Sequence, residues 1–433
     1  MSRLMRAVRL FAVVLCGSIG APVLAQVPAA APDRAAPTGT DARFAASIYG
    51  AYGDPQLMGS TPTANTPAEV GADTDLFVNR RRGRLNLQLA AATGMRRFDA
   101  AGAMDGANFW SHVTTASLVA PLTDRTQLGL TAQGGYSEFL SLDGWGARGE
   151  VASAAADHTQ ALDSGVARQP TARLGGGAQL TRTLSTRSSI LLTYDARASR
   201  IVDGPRADTI DQHGQIAFAN QLRQRAVVRV AYALRHAEYG FSAQPRHTIR
   251  EHTAMLGFDR QWVHSPTRQS ILRVSVGPSL VVGAGPSRYA ATADVSLDTR
   301  TGQSWVVSVG AYRATTFVDG IPRPFLSEAF RGEVRGRLGR RLDVAVAGDS
   351  TAGAGRFDAD PASLRSRGGR ARVGLELSRA FTLFGEYVYR WYELAGVLPE
   401  GTAAITRTDR GSIRAGLTWQ LPVRGGLPAD AAR

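Results

Sequence analysis

The sequence predicts an all-β fold: a single transmembrane, up-and-down antiparallel β-barrel of about eighteen strands, with sixteen as the alternative count. Three observations carry this. Ser412 to Leu421 alternates strictly: Ile413, Ala415, Leu417, Trp419 and Leu421 are apolar, while Ser412, Arg414, Gly416, Thr418 and Gln420 are polar or small. A period of two places the apolar five on one face of a strand. Ten residues exceed the usual strand of about five or six and match what a tilted strand needs to cross a bilayer. Similar segments recur back to the N-terminus. Secondly, no stretch beyond the N-terminal segment has the roughly 18 apolar residues of a membrane helix. Thirdly, the N-terminus reads as an export signal, and an exported chain that crosses by strands has to close on itself, because lipid leaves a sheet edge unsatisfied. A soluble sandwich has shorter strands, with turn signals about every 8–12 residues.

In chain order, residues 1–25 form the expected secretory signal: Arg3, Arg6 and Arg9, a short apolar core from Leu10 to Gly20, and small residues ending at Ala25. The only cysteine, Cys16, lies inside that core and is preceded by Leu15, which argues against lipidation. Removing the signal leaves no cysteine for disulfides, thiolate catalysis or metal binding. Residues 26–41, rich in Ala and Pro, are expected to be a disordered lead-in. The barrel is expected over 42–421 and a periplasmic tail over 422–433.

Eight tight connections set the strand count. They are Arg80–Arg84, Leu122–Arg125, Leu184–Arg187, Leu222–Arg225, His264–Arg268, Leu297–Arg300, Leu338–Arg341 and Leu377–Arg379. Short turns belong on the periplasmic side of such barrels. The longer connections, Gly53–Gly71, Asp99–Gly106, Phe139–Gln169, Ser242–Arg246, Arg356–Leu364 and Ala395–Ala404, are then exterior. Eight turns join sixteen strands in pairs; a first and a last strand make eighteen, with both termini periplasmic. Alternation is blurred in Arg43–Tyr52, Asp73–Asn79 and Phe109–Leu122.

The alternation also assigns faces. Leu85, Leu87, Leu89, Val228, Val230, Tyr232, Leu272, Val274, Val276, Val373, Leu375, Leu377, Phe381, Leu383 and Tyr387 are expected toward lipid, with Tyr389, Trp391 and Trp419 in the interfacial aromatic girdles. Inward are Arg173, Arg197, Arg229, Arg235, Arg273, Arg331, Arg335, Arg337, Arg370, Arg372, Arg390 and Arg414, opposed by Asp195, Asp259, Asp294, Glu333, Asp343, Asp349, Glu376 and Glu386. At this strand number side chains alone do not fill the interior, so a water-filled, mildly anion-favouring lumen is expected. Two readings of each arginine stay open: it selects solutes, or it braces the wall in a cross-strand ion pair. Arg331, Glu333 and Arg335 beside Asp343, and Arg370, Arg372 and Glu376 beside Glu386, are arranged as bracing sets. Two readings of the long connection Phe139–Gln169 also stay open: it folds inward as a constriction, or it is a surface-exposed loop; it is the first place to look for gating.

Charge excludes other classes. All 50 basic residues are arginine and the net charge is +14, or +11 without the signal. The arginines alternate along strands or sit at turns instead of clustering, which argues against nucleic acid. His112, His158, His213, His236, His247, His252 and His264 fit neither a nucleophile elbow nor a paired metalloprotease motif. His247 and His252 are five apart and so on opposite strand faces, which disfavours a shared metal. Gly175–Gly177 lies within a strand and lacks the helix of a phosphate loop. No catalytic residue, metal or cofactor is expected.

Arg414, Gly416, Trp419 and Leu421 resemble the C-terminal assembly signal of outer-membrane barrels, with Leu421 where Phe is usual and twelve residues following it. Phe44–Tyr52, the Thr/Pro-rich connection and Asp75–Arg84 resemble β-barrel porins associated with exopolysaccharide or capsule export. That resemblance implies a passive outer-membrane conduit for a sugar polymer. Its implied partners are outer-membrane lipid, the barrel-assembly machinery and periplasmic polysaccharide-export components. Three functions are therefore set against one another. The first is a channel for polar, including anionic, solutes or for polysaccharide export. The second is a structural or adhesin-type barrel without an open pore, and the third a rim-located hydrolase using His252, His213 or His158.

Overall fold

The computed structural model describes residues 39–53, 68–99, 108–141, 165–202, 207–241, 246–283, 287–302, 304–318, 321–355, 363–395 and 407–424. Eighteen strands run through them. They are β1 (Gly39–Gly53), β2 (Ala68–Arg82), β3 (Leu85–Asp99), β4 (Asn108–Thr123), β5 (Thr126–Ser141), β6 (Gly165–Thr183), β7 (Ser188–Ile201), β8 (Ala207–Arg223) and β9 (Ala226–Phe241). Then follow β10 (His247–Ser265), β11 (Arg268–Val282), β12 (Arg288–Thr301), β13 (Trp305–Val318), β14 (Ile321–Leu338), β15 (Leu342–Ala354), β16 (Ser363–Glu376), β17 (Phe381–Ala395) and β18 (Arg407–Arg424). Each strand pairs antiparallel with its sequence neighbours, and β1 pairs with β18, so the sheet closes. The expected fold class and the count of eighteen hold. Closure removes every edge, and each strand exceeds the bilayer-crossing minimum of about ten residues.

The tight turns fall where expected, with one correction. Leu297–Arg300 is not a turn: those residues pair with Ile271, Leu272, Gln269 and Ser270 inside β12, and the chain reverses after Gly302. Gly302 adopts φ 67°, as Gly83 and Gly339 adopt 59° and 65° in two of the other tight turns. A left-handed residue supplies the reversal and glycine adopts it without a Cβ clash. The Leu–Asp–Thr–Arg pattern imitates the other turns, but the glycine five residues later fixes the reversal. The strands are also longer than expected. β1 takes in residues 39–41 and β18 takes in 422–424. β5 and β6 extend to Ser141 and from Gly165, so both ends of Phe139–Gln169 are strand. The expected signal 1–25, the lead-in up to residue 38, the tail after 424, residues 142–164 and His158 lie outside the described residues.

Cross-strand partners share a face, so the register traces both surfaces round the barrel. Phe381, Trp419, Ala46 and Thr74 form one outward row; Leu383, Leu417, Ile48 and Ala72 form the next. The outer face carries the large exposed apolar side chains, including Leu85, Leu89, Val230, Tyr232, Val276, Val373, Leu375 and Tyr387. Trp419 sits outward near the tight-turn end, and Tyr389 and Trp391 outward nearer the other. Arg260 lies over the Trp262 ring at 5.2 Å and Arg367 over the Trp391 ring at 5.3 Å. An apolar belt bounded by such pairs is the surface a lipid-embedded barrel needs.

Candidate functional site: the lumen wall

All twelve arginines expected inward lie on the inward face by register, and most are tied to acids on the same or nearby strands. Arg229 bonds Asp259 at 2.6 Å and Arg273 bonds Asp298 at 2.6 Å. Arg390 reaches across two strands to Asp349 at 2.6 Å. Arg370 hydrogen-bonds Glu386, whose other oxygen lies 3.7 Å from Arg414. Arg331 and Arg335 share Glu333 at 4.0 and 3.9 Å. Arg372 faces Glu386 in register and stacks its guanidinium over Phe384, 4.4 Å from the ring centre. Arg197 stands opposite Asp211, but Asp211 is already held by Arg235; Arg173 stands opposite Ser199. The bracing sets form with altered partners. Asp343 and Glu376 both pair with Arg337, at 3.0 and 3.5 Å, and Arg331 and Arg335 turn to Glu333.

Alternation alone under-counted the acids. Glu69, Asp73, Asp75, Asp211, Glu251 and Asp298 also point inward by register. In β2 the outward residues on either side of Asp73 are Ala72 and Thr74, which interrupt the apolar series between Val70 and Leu76. In Arg96–Arg97 both strand faces carry the same charge, so pattern reading passes over Arg96. Yet Arg96 is fully buried, 3.1 Å from Glu69 and 3.0 Å from the Tyr49 hydroxyl to which it donates. Arg414 lies over the opposite side of the same network, 5.5 Å from the Tyr49 ring. With these acids counted, positive and negative groups are close to balance, and the basic surplus expected of the lumen shrinks.

Exposure divides the lumen along its axis. Near the tight turns Arg335 and Arg337 keep 64 and 47% of their side-chain surface, and Arg331, midway along β14, keeps 55%. Arg414, at mid-wall, keeps 4%, and toward the opposite end Arg96, Arg235 and Arg390 keep 0, 8 and 8%. Phe109, Ile201, Phe325, Leu364 and Tyr392 are buried there too. The tight-turn half is therefore an open vestibule, whereas the other half is filled by its own wall side chains. An expectation of water throughout treated the barrel as a round tube. Among the described residues wall side chains narrow the lumen; residues 142–164 of the Phe139–Gln169 connection, the expected place for a constriction, lie outside the described residues. The histidines are dispersed: His213 bonds Asp195 inside the lumen, while His112 (with Thr93 and Thr114) and His252 (with Tyr232) face outward. Among the described residues no group of three or more His, Cys, Asp or Glu side chains is placed to hold a metal ion.

Fold and lumen together define a wide closed barrel with an apolar outer belt and an ion-paired polar interior, open at one end. No protein-family profile matches the chain, and no curated protein matches it. Among solved structures it is similar to OpdL of Pseudomonas aeruginosa, with 12% identity, TM-score 0.43, and coverage of 89% of this chain and 99% of that one. It is likewise similar to OccAB2 of Acinetobacter baumannii, with 10% identity, TM-score 0.45, and coverage of 89% and 98%. OccK2 (OpdF) of Pseudomonas aeruginosa matches at 11% identity and TM-score 0.44, covering 88% and 98%. At such identities and TM-scores these likenesses carry no weight for function.

Proposed function

We propose that this chain is an outer-membrane channel for small polar solutes. The observation that supports this most is the closed eighteen-strand wall, apolar outside and charged inside, opening into a vestibule where Arg331 and Arg335 stand in solvent. In the tight-turn half the side chains leave the lumen open, and water-exposed charge on the inner face is how such pores treat their solutes. In this reading residues 1–25 are removed on export, the tight turns face the periplasm, and Arg414, Gly416, Trp419 and Leu421 are read by the barrel-assembly machinery. Preference for anions is slight, because most of the predicted selectivity arginines have an acid beside them. Export of a sugar polymer gains no support from a lumen that narrows at one end. The narrowing does favour a second reading, a structural barrel without an open pore.

Planar-bilayer recording separates the two. The purified barrel is expected to give stable stepwise conductance, with a small reversal potential in a salt gradient. A folded barrel that gives no steps at any voltage rejects the channel and leaves the structural reading.

A further inference from the structure

The filled half of the lumen contains one contact that a plain barrel does not make. β14 packs against β8 and β9, six and five strands away round the wall, so the upper part of this strand reaches across the interior. At the crossing, Phe325 and Ser327 of β14, Thr315 of β13 and Ala237 of β9 are fully buried. The two crossing strands stay joined to each other: Thr316 pairs with Phe325, and the Thr316 and Ser327 hydroxyls are 2.6 Å apart.

Arg235 of β9 fastens this hairpin. Its guanidinium donates two parallel bonds of 2.6 Å to Asp211 on β8. A third N–H points across the lumen and donates to the carbonyl oxygen of Thr315. Glu251 on β10 lies 3.8 Å from the same guanidinium and accepts a 2.7 Å bond from Ser279. The planar fork explains why arginine serves here: one edge is fixed by a bidentate carboxylate, which leaves the remaining donors aimed in a set direction. Thr315 offers a backbone acceptor, so the strap is gripped whatever its side chain.

We infer that the β13–β14 hairpin is a strap drawn across the lumen and latched by Arg235, and that the strap sets the largest solute the pore admits. This rests on the channel reading. The buried Glu251 and the half-buried Asp211 on one side make the guanidinium costly to withdraw, so the latch stays shut at rest. Arg235 thus acts as a positioning residue for the aperture, apart from the exposed arginines of the vestibule.

The test compares wild type, Arg235→Gln and Phe325→Ala in planar bilayers, and in liposomes swelling with a graded series of neutral sugars. Gel mobility before and after heating reports whether each barrel is folded. Phe325→Ala leaves every charge in place, so it decides the matter if Arg235→Gln fails to fold. The expected result is a rise in unitary conductance of about two-fold or more in the folded variants, together with entry of larger sugars. Folded variants with wild-type conductance and sugar cut-off overturn the strap and leave the channel standing. A silent wild type with conducting variants supports the strap as a full closure and rejects the resting channel. Silence in all three overturns both.

Discussion

Replacing Gly416 by alanine strikes the seam where the barrel closes. Gly416 lies inward on β18, opposite Tyr49 of β1 and Phe384 of β17. A Cβ there would stand 2.4 Å from the Ile48 carbonyl oxygen, 2.6 Å from the Tyr49 Cβ and 2.8 Å from the Phe384 ring tip. The ring tip can swing aside, but the first two are a backbone atom and the root of a side chain. Both fall up to about 1 Å short of ordinary contact, so relief requires β1 and β18 to part locally. Overpacking of this sort costs about 1–3 kcal/mol, and each ladder hydrogen bond stretched adds about 1 kcal/mol. Gly385, which faces outward on the adjacent strand, is the control, since its added Cβ meets nothing within 4 Å. Urea unfolding in detergent, followed by tryptophan fluorescence, should show a clearly lowered midpoint for Gly416→Ala and a change within about 0.5 kcal/mol for Gly385→Ala. Equal midpoints for both variants would refute the reasoning that the seam tolerates only glycine at this position.

Other predictions follow from the lumen and the turns. Arg96→Gln strips the buried Glu69 of its 3.1 Å partner and should cost about 3–5 kcal/mol in the same unfolding assay. Adding Glu69→Gln should restore most of the loss, and a double variant no better than the single contradicts the pairing. Arg331→Glu with Arg335→Glu should move the reversal potential toward cations, because both side chains stand in solvent. An unmoved potential means the vestibule does not sense charge. Between the β2–β3 and β4–β5 turns, the Arg84 guanidinium bonds Asp124 and holds its carboxyl below the usual carboxylate range. A depressed folded value gives a contribution present above the unfolded carboxylate pKa of about 3.9 and lost as pH falls through the lower folded value. Wild type should therefore slightly exceed Asp124→Asn in urea midpoint at pH 7, and the two should converge as pH falls below the depressed folded value. A gap that widens with acid contradicts the sign.

Much of the barrel was readable along the chain because a lipid-facing strand can place only apolar groups outward, and the period of two then fixes the inner set. Arg229, Arg273, Arg331, Arg370, Arg390 and Arg414 were placed on the inner face in this way. The approach failed where the outer partners were weak. In β2 Ala72 and Thr74 break the apolar series between Val70 and Leu76, so the inward Glu69, Asp73 and Asp75 do not stand out by alternation. At Leu297–Arg300 a familiar residue pattern outweighed Gly302, although only the glycine meets the geometric need of the turn.

Alternation, turn spacing and a terminal strand fit to pair with the first determined the strand count and the two faces, because these depend on neighbours within about twenty residues and on lipid as a uniform solvent. Which acid each arginine meets, and at which end the lumen fills, was decided only by tertiary structure. Arg390 finds Asp349 across two strands, and Arg235 finds Thr315 four strands away. Those contacts join residues 41 and 80 apart in sequence, brought together by curvature that a single strand does not encode.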